Sequence, residues 1–261
     1  MNPSTSPEQR LRQAIIAWGV FILVAVLING TIPFVLGYDL HAWSNSIVKV
    51  VLFSLLIYAG LFLVVPVVIT KGWPIVHQPA FWGAVLVATL GIVLWWPVNR
   101  FTAGVVVLVL AFLHWRFDLS ELGFRSYSVK ADLSDVLLMG ILSFLPVLIR
   151  GLPANLRLAT AFQASMERLF GNPASTVENL FYFGFLAESL ARKTGRWLTP
   201  VLIGGLYTLH EMSNPEYWYS HLEFGLVFVG ITLTTAIYLW RRSVVVVWLG
   251  DGLSRFITRL T

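Results

Sequence analysis

Residues 172–192, NPASTVENLFYFGFLAESLAR, place the carboxylate of Glu178 at the head of an apolar, aromatic-rich stretch. A second apolar stretch, PVLIGGLYTLHEMSNPEYW over residues 200–218, ends its apolar part at His210. Each stretch suits a membrane helix, where an acid and an imidazole are costly to keep. We therefore interpret Glu178 and His210, at the ends of consecutive helices, as the centre of a functional site.

The composition indicates a membrane protein. Of the 261 residues, 57% are hydrophobic and 12% are charged, whereas soluble domains carry roughly 25% charged residues. A water-soluble protein of this length could not cover so much apolar surface. The eleven Trp and eighteen Phe fit aromatic anchors at the membrane interfaces. We expect an integral protein, surrounded by membrane lipid, of a bacterial or archaeal inner (plasma) membrane.

Charge and cysteine content exclude other classes. The net charge is +5, but the basic residues form short runs between apolar segments, as orientation charges do, and predict no nucleic-acid binding. The chain has no Cys, which excludes disulfides, thiolate metal sites and a cysteine nucleophile. The sequence predicts no cofactor and leaves the oligomeric state open.

Apolar segments predict an all-α, polytopic transmembrane helix bundle of about eight spans. The pattern gives nine segments, or eight if residues 80–115 form one broken element. Residues 1–118 form the predicted N-terminal transmembrane region, with spans at 14–35, 47–69, 80–96 and 103–115. The last two of these spans are predicted to form a tight helical hairpin. A polar linker, residues 116–132, is predicted to follow.

Residues 119–261 form the second predicted region, which contains both site candidates. Its predicted spans lie at 133–149, 177–191, 198–209, 224–239 and 244–260. Residues 151–175 predict a helix lying in the membrane interface. Ser175 or Thr176 is the expected N-cap of the helix that carries Glu178.

The charges of the loops predict how the second region is oriented. Residues 192–196 and 241–242 are basic, whereas the loop between their helices, residues 211–223, carries Glu and no Lys or Arg. Basic loops remain in the cytoplasm. Glu178 and His210 are therefore expected at similar depth, towards the outer face.

Glu178 permits two interpretations. A carboxylate in the first turn of a helix is stabilised by the helix dipole and can simply mark the water boundary. Alternatively, it is a general base that takes a proton from water. Tyr182, one turn further on the same face, could bind the carboxylate or an oxyanion, or could be an interface anchor.

His210 is either a hydrated residue at the membrane interface or a hydrogen-bond donor to a developing oxyanion. Asn214, one turn away, supports the second interpretation. A zinc site built from Glu178, His210, His221 and Asp251 can be drawn, but the spacing does not demand it. We therefore predict no metal.

The last span carries Asp251 and Arg255, spaced one turn apart. They are either a local ion pair or a third group of the site facing the bundle interior. Gly250 and Gly252 flank the Asp and allow another backbone to come close. Glu188, on another face of the Glu178 helix, is interpreted as structural.

Residues 118–255 resemble the CAAX prenyl endopeptidase and bacteriocin-processing family (CPBP, also called ABI) of intramembrane proteases. LSELGFR, residues 119–125, is similar to the Leu-Gly-x-Arg stretch that precedes the core of many members. Residues 178–186, ENLFYFGFL, resemble Glu-Glu-x-x-x-Arg-Gly-x-Leu, and Leu206-x-x-x-His210 resembles Phe-x-x-x-His. Residues 243–255 resemble the segment that ends in His-x-x-x-Asn.

The resemblance implies a bundle of about eight helices around a water-filled site, where a Glu activates water and His and Asn stabilise the oxyanion. Glu178 and His210 match the family. The departures are Asn179 for the second Glu, Phe183 for the Arg, Asp251 for the second His and Arg255 for the Asn.

The first hypothesis is therefore a glutamate-type membrane endopeptidase that cleaves a membrane-anchored peptide or protein tail. Glu178 would activate water, His210 would support the oxyanion, and Asp251 with Arg255 would be an altered support. The residues expected to contact substrate are Asn179, Tyr182, Phe183 and Asn214.

The alternative is a catalytically inactive relative that binds a membrane partner or lipid-like ligand in the inherited cavity. A transporter is a third class, but the sequence shows no repeated halves. Convergence of Glu178 and His210 to about 3–4 Å favours the peptidase. Divergence of the two, or a cavity filled by Phe183, favours the inactive relative.

Overall fold

The computed structural model describes residues 6–39, 42–43, 46–98, 102–125, 128–142, 158–170, 173–211 and 221–259. Within them the chain is all-α, as predicted. The helices are α1 (Pro7–Leu36), α2 (Ile47–Lys71), α3 (Pro79–Val98), α4 (Thr102–Phe117), α5 (Val129–Leu142), α6 (Leu158–Phe170), α7 (173–194), α8 (196–211), α9 (His221–Arg241) and α10 (Val244–Arg259). Short 3₁₀ turns lie at Trp73–His77 and Leu119–Leu122.

Three of the described helices are long and apolar enough to cross a membrane: Pro7–Leu36, Ile47–Lys71 and Phe224–Arg241. Pro79–Leu94 and Gly104–Phe117 are shorter apolar helices, and they pack along each other as the predicted hairpin. Large apolar side chains cover the outside of these helices, which suits contact with lipid better than contact with water. These features indicate a membrane protein.

Helix α1 illustrates how the local sequence sets the ends of a helix. The Ser6 side chain accepts a hydrogen bond from the Gln9 amide at 3.2 Å, and Pro7 occupies the first turn. Gly37, with φ of 70°, closes the helix in the left-handed conformation. The helix thus spans 30 residues between a polar cap and a glycine stop.

Among the described residues, two helices contain a π-helical segment, and the sequence pattern did not predict either segment. They are Ser54–Val64 in α2 and Leu180–Ala187 in α7. The segments face each other, with the rings of Phe62 and Phe181 5.3 Å apart. Such segments are frequent at functional sites, and these two bring aromatic side chains to the neighbourhood of Glu178.

Helices α7 and α8 form an antiparallel hairpin. Gly195 has φ of 77° and ψ of 170°, which breaks the helical run and reverses the chain. Glu178 lies 17 residues before Gly195 and His210 lies 15 residues after it, so the two reach similar depth, as predicted. The N-cap prediction was wrong, because α7 already begins at Pro173 and contains Ser175 and Thr176.

Part of the linker before α5 is buried, although its composition is polar. Leu119 and Leu122 are buried, and a Cβ on Gly184 of α7 would collide with the Leu122 carbonyl oxygen. The Val244 amide donates to the Gly123 carbonyl at 2.9 Å. The linker therefore packs between α7 and the start of α10.

The two predicted regions, residues 1–118 and 119–261, share one apolar core. Buried residues of α1, α2, α3 and α4 belong to the same cluster as those of α7, α8 and α9. Helix α10 packs mainly on α5 and α6. The helix bearing Glu178 thus packs against helices of the first region as well as against those of its own.

Candidate functional site

The side chains of Glu178 and His210 meet inside the bundle. Glu178 Oε1 and His210 Nδ1 are 3.5 Å apart, and the residues are 8% and 7% exposed. Because α7 begins at Pro173, Glu178 does not lie in the first turn of its helix, and that part of the first interpretation was wrong. The hairpin and the burial on both sides bring an acid and an imidazole into contact, which is the convergence expected of an acid–base pair.

Aromatic rings enclose the imidazole of His210. The Phe62 ring of α2 lies edge-on at 5.2 Å, and the Tyr207 ring of α8 at 6.0 Å. The Tyr182 ring of α7 lies 5.9 Å from the imidazole and nearly parallel to it. This apolar enclosure strengthens electrostatic interactions within the pair, because little water screens them.

The hydroxyl of Tyr182 is held from α1. The Trp18 indole N–H donates to the Tyr182 oxygen at 3.0 Å, and Tyr182 is fully buried. Tyr182 shares a helix face with Glu178, as predicted from their spacing. Tyr182 therefore connects α1, through its hydroxyl, with the imidazole of His210, through its ring.

Three residues of the site were missed in the sequence. Tyr207 precedes His210 by one turn on α8, so helical spacing could have indicated it. Trp18 and Phe62 come from α1 and α2, outside the segment that carries the family resemblance. Nothing in the local sequence distinguishes them from other aromatic residues of a membrane helix.

Beside Glu178, α7 presents two buried polar groups without a hydrogen-bond partner among the described residues. They are Asn179 Nδ2 and Thr176 Oγ1, in residues that are 6% and 8% exposed. The residues are three apart, so they share a helix face. An unsatisfied buried group costs about 1–3 kcal/mol, so this face is suited to bind a carbonyl group or water.

Phe183 lies on the side of α7 that contacts α9. It is 1% exposed, and its ring centroid is 6.2 Å from that of Tyr238. Phe183 therefore does not fill the space between Glu178 and His210. Its predicted contact with substrate stays a prediction.

Asp251 and Arg255 lie on α10, where Asp251 is half-buried and Arg255 is exposed. A Cβ on Gly250 would collide with Met139, and one on Gly252 with Leu169. These glycines therefore allow close packing of side chains from α5 and α6, whereas the sequence predicted the close approach of another backbone. The catalytic role of Asp251 and Arg255 stays a prediction.

The positions of two further candidate residues stay predictions. Asn214 lies outside the described residues, as does the side chain of His221. In the part of the chain that the structure describes, no three His, Cys, Asp or Glu residues converge as a metal-binding group would.

Glu188 forms a second buried polar cluster towards the other end of α7. The Tyr238 hydroxyl donates to Glu188 Oε1 at 3.2 Å, and Arg242 Nη1 lies 3.5 Å from Oε2. The neighbouring Arg241 pairs with Asp135 of α5 at 2.7 Å. These bonds tie the α9–α10 turn to α5 and α7, which fits the structural interpretation of Glu188.

No family model matches the chain, and neither the curated proteins nor the solved structures include a match to it. The functional interpretation therefore rests on the residues and their geometry.

Proposed function

We propose that the protein is a membrane-embedded, glutamate-type endopeptidase that cleaves a membrane-anchored peptide or protein tail. The contact of Glu178 with His210 at 3.5 Å, inside an aromatic enclosure, is the observation that carries this proposal. The resemblance to the CPBP family supports it, because Glu178 and His210 are the two polar site positions of the family that the chain retains. About eight helices would cross the membrane, with the pair towards the outer face.

The proposed reaction begins when Glu178 takes a proton from water and the hydroxide attacks the scissile carbonyl carbon. The new O–H of Glu178 then faces Nδ1 of His210, whose other nitrogen donates to the tetrahedral oxyanion. The intermediate collapses as the C–N bond breaks. Glu178 returns its proton to the departing amine, so that the enzyme regains its starting state.

The altered polar groups favour a neutral contact with substrate. Asn179, in place of an acid, offers an unpartnered amide beside the catalytic carboxylate. An amide N–H₂ donates to a peptide carbonyl without adding a buried charge. Asp251 and Arg255 would be an altered support on α10.

A second candidate function is a catalytically inactive relative that binds a membrane partner. The enclosure of His210 by Phe62, Tyr182 and Tyr207 favours it, because substrate must displace or pass these rings. Phe183, buried where the family carries an Arg, also favours it. Experiment separates the two candidates.

The test compares protein termini in cells that produce wild-type protein, E178Q or E188Q from an otherwise deleted locus. Glu188 is the matched control, because it lies on the same helix and is as buried as Glu178 but bonds to Tyr238 and Arg242. Mass spectrometry of membrane fractions should find new termini with wild type and E188Q that E178Q lacks. Identical termini with E178Q and wild type, at equal protein levels, would overturn the peptidase proposal and favour the binding protein.

A further inference from the structure

Trp18 reaches the candidate site from a helix that the sequence pattern did not connect with it. We infer that Trp18 is a positioning residue: its indole N–H donates to the Tyr182 oxygen and so leaves the tyrosine proton free to donate to a group bound beside the Glu178–His210 pair. The role of Trp18 in catalysis rests on the proposed function. The hydrogen-bond arrangement itself can be tested independently.

The contacts of Tyr182 give the inference its geometry. Its ring lies between that of Tyr207, at 4.9 Å, and that of Phe62, at 5.7 Å, and nearly parallel to the imidazole of His210. Rings packed in this way fix the plane of the phenol. The position of the hydroxyl oxygen is therefore set by packing, and only the direction of its hydrogen remains to be decided.

The chemistry of the two groups decides that direction. An indole N–H only donates, so the Tyr182 oxygen must accept from Trp18. A phenol hydrogen lies close to the ring plane, on one side of the oxygen or the other. With one side occupied by the indole N–H at 3.0 Å, the hydrogen takes the side away from Trp18.

The proton of Tyr182 has no acceptor among the residues that the structure describes, although Tyr182 is fully buried. A buried donor without an acceptor is costly and rare. An oxyanion formed beside Glu178 and His210 would supply the acceptor. Tyr182 thereby becomes a second oxyanion donor, and Trp18 ensures that its proton is available.

The experiment is a double-mutant cycle with W18F, Y182F and the double variant in the full-length protein. Phe retains most of the indole packing but removes the N–H, and Y182F removes only the hydroxyl. W43F is the control, because Trp43 is also buried and its indole donates to Asn29 at 2.7 Å, further along α1. The first readout is the ¹⁵N resonance of the His210 imidazole, assigned by its loss in H210N.

Both W18F and Y182F should shift the His210 resonance, and the double variant should match Y182F alone, because Trp18 acts only through the hydroxyl. W43F should leave the resonance unchanged. The positioning role is overturned if W18F leaves the resonance as in wild type, or if the shifts of the two single variants simply add.

The second readout is the kinetics of any cleavage that the comparison of termini reveals. Y182F should lower kcat by on the order of 10²-fold, as loss of one oxyanion donor does, and W18F should lower it less, with KM little changed. Full activity of W18F, where wild type cleaves, overturns the inference. Absence of cleavage by wild type counts against the proposed function alone, since the resonance cycle still decides the role of Trp18.

Discussion

Single buried polar atoms at the two ends of α7 and α8 differ in whether the fold satisfies them, and this difference has measurable consequences. Thr199 Oγ1 donates to the Gly195 carbonyl at 2.7 Å and lies 2.9 Å from Thr194 Oγ1. The hydroxyl of Thr176, near Glu178, is also buried, but it has no partner among the described residues. A fold that leaves a hydroxyl unsatisfied gains little stability from it.

Replacing these two threonines by valine should therefore have opposite effects. T199V removes a satisfied hydroxyl next to the Gly195 turn and should lower the free energy of unfolding by about 1 kcal/mol. T176V removes an unsatisfied hydroxyl and should leave stability unchanged or raise it by up to about 1 kcal/mol. Thermal unfolding of both purified variants in the same detergent measures the difference. A loss in T176V as large as that in T199V would show that the Thr176 hydroxyl has a bound partner.

Packing between helices determines where His210 lies. Helices α8 and α9 come together at Gly204, where a Cβ would collide with Thr232 Oγ1 and come within 3.1 Å of the Phe228 carbonyl oxygen. Small residues at such crossings let the backbones of membrane helices approach closely. The next residue, Gly205, has nothing within 4 Å of its Cβ position. Gly204 thus allows the close approach of α8 and α9, whereas Gly205 does not face another of the described helices.

Alanine at each glycine tests this packing. G204A should destabilise the protein by about 1–3 kcal/mol, because a backbone carbonyl and a packed side chain must move. G205A should be neutral or stabilise it by about 0.5–1 kcal/mol, since Ala is the better helix former. The comparison uses SDS-induced unfolding of both variants with wild type as reference. Equal losses at the two positions would contradict the assigned face of α8.

The sequence predicted most helices because apolar runs between charged or glycine-rich turns leave few alternatives for a chain in lipid. It also predicted that Glu178 and His210 reach the same depth, which followed from the lengths of α7 and α8. It could not predict the π-helical segments or the Trp18–Tyr182 bond. Both depend on contacts between helices distant in the chain, and a helical repeat does not encode such contacts.

At the scale of the whole molecule, basic residues gather at one end of the bundle. Lys193 pairs with Glu8 at 3.0 Å, and Arg10 pairs with Glu121 at 2.8 Å. Hydrogen bonds from Ser120, and to a lesser extent the nearby charge of Lys71, lower the pKa of the Asp118 carboxyl in the same turn.

The start of α1, the turn before α5 and the α7–α8 turn therefore lie together. Short basic loops remain in the cytoplasm, so this end is the expected cytoplasmic side. The opposite end of α1 should then face outward.

The absence of Cys from the chain makes this arrangement testable with single cysteines. Arg196 in the α7–α8 turn and Tyr38 after α1 are both exposed, and α1 is long enough to place Tyr38 across the membrane from Glu8. In intact cells a membrane-impermeant maleimide should label Tyr38→Cys. It should label Arg196→Cys and Glu8→Cys only after the membrane is permeabilised. Labelling of Glu8→Cys and Arg196→Cys from opposite sides would contradict the Glu8–Lys193 contact, and with it the bundle that brings Trp18 to Tyr182.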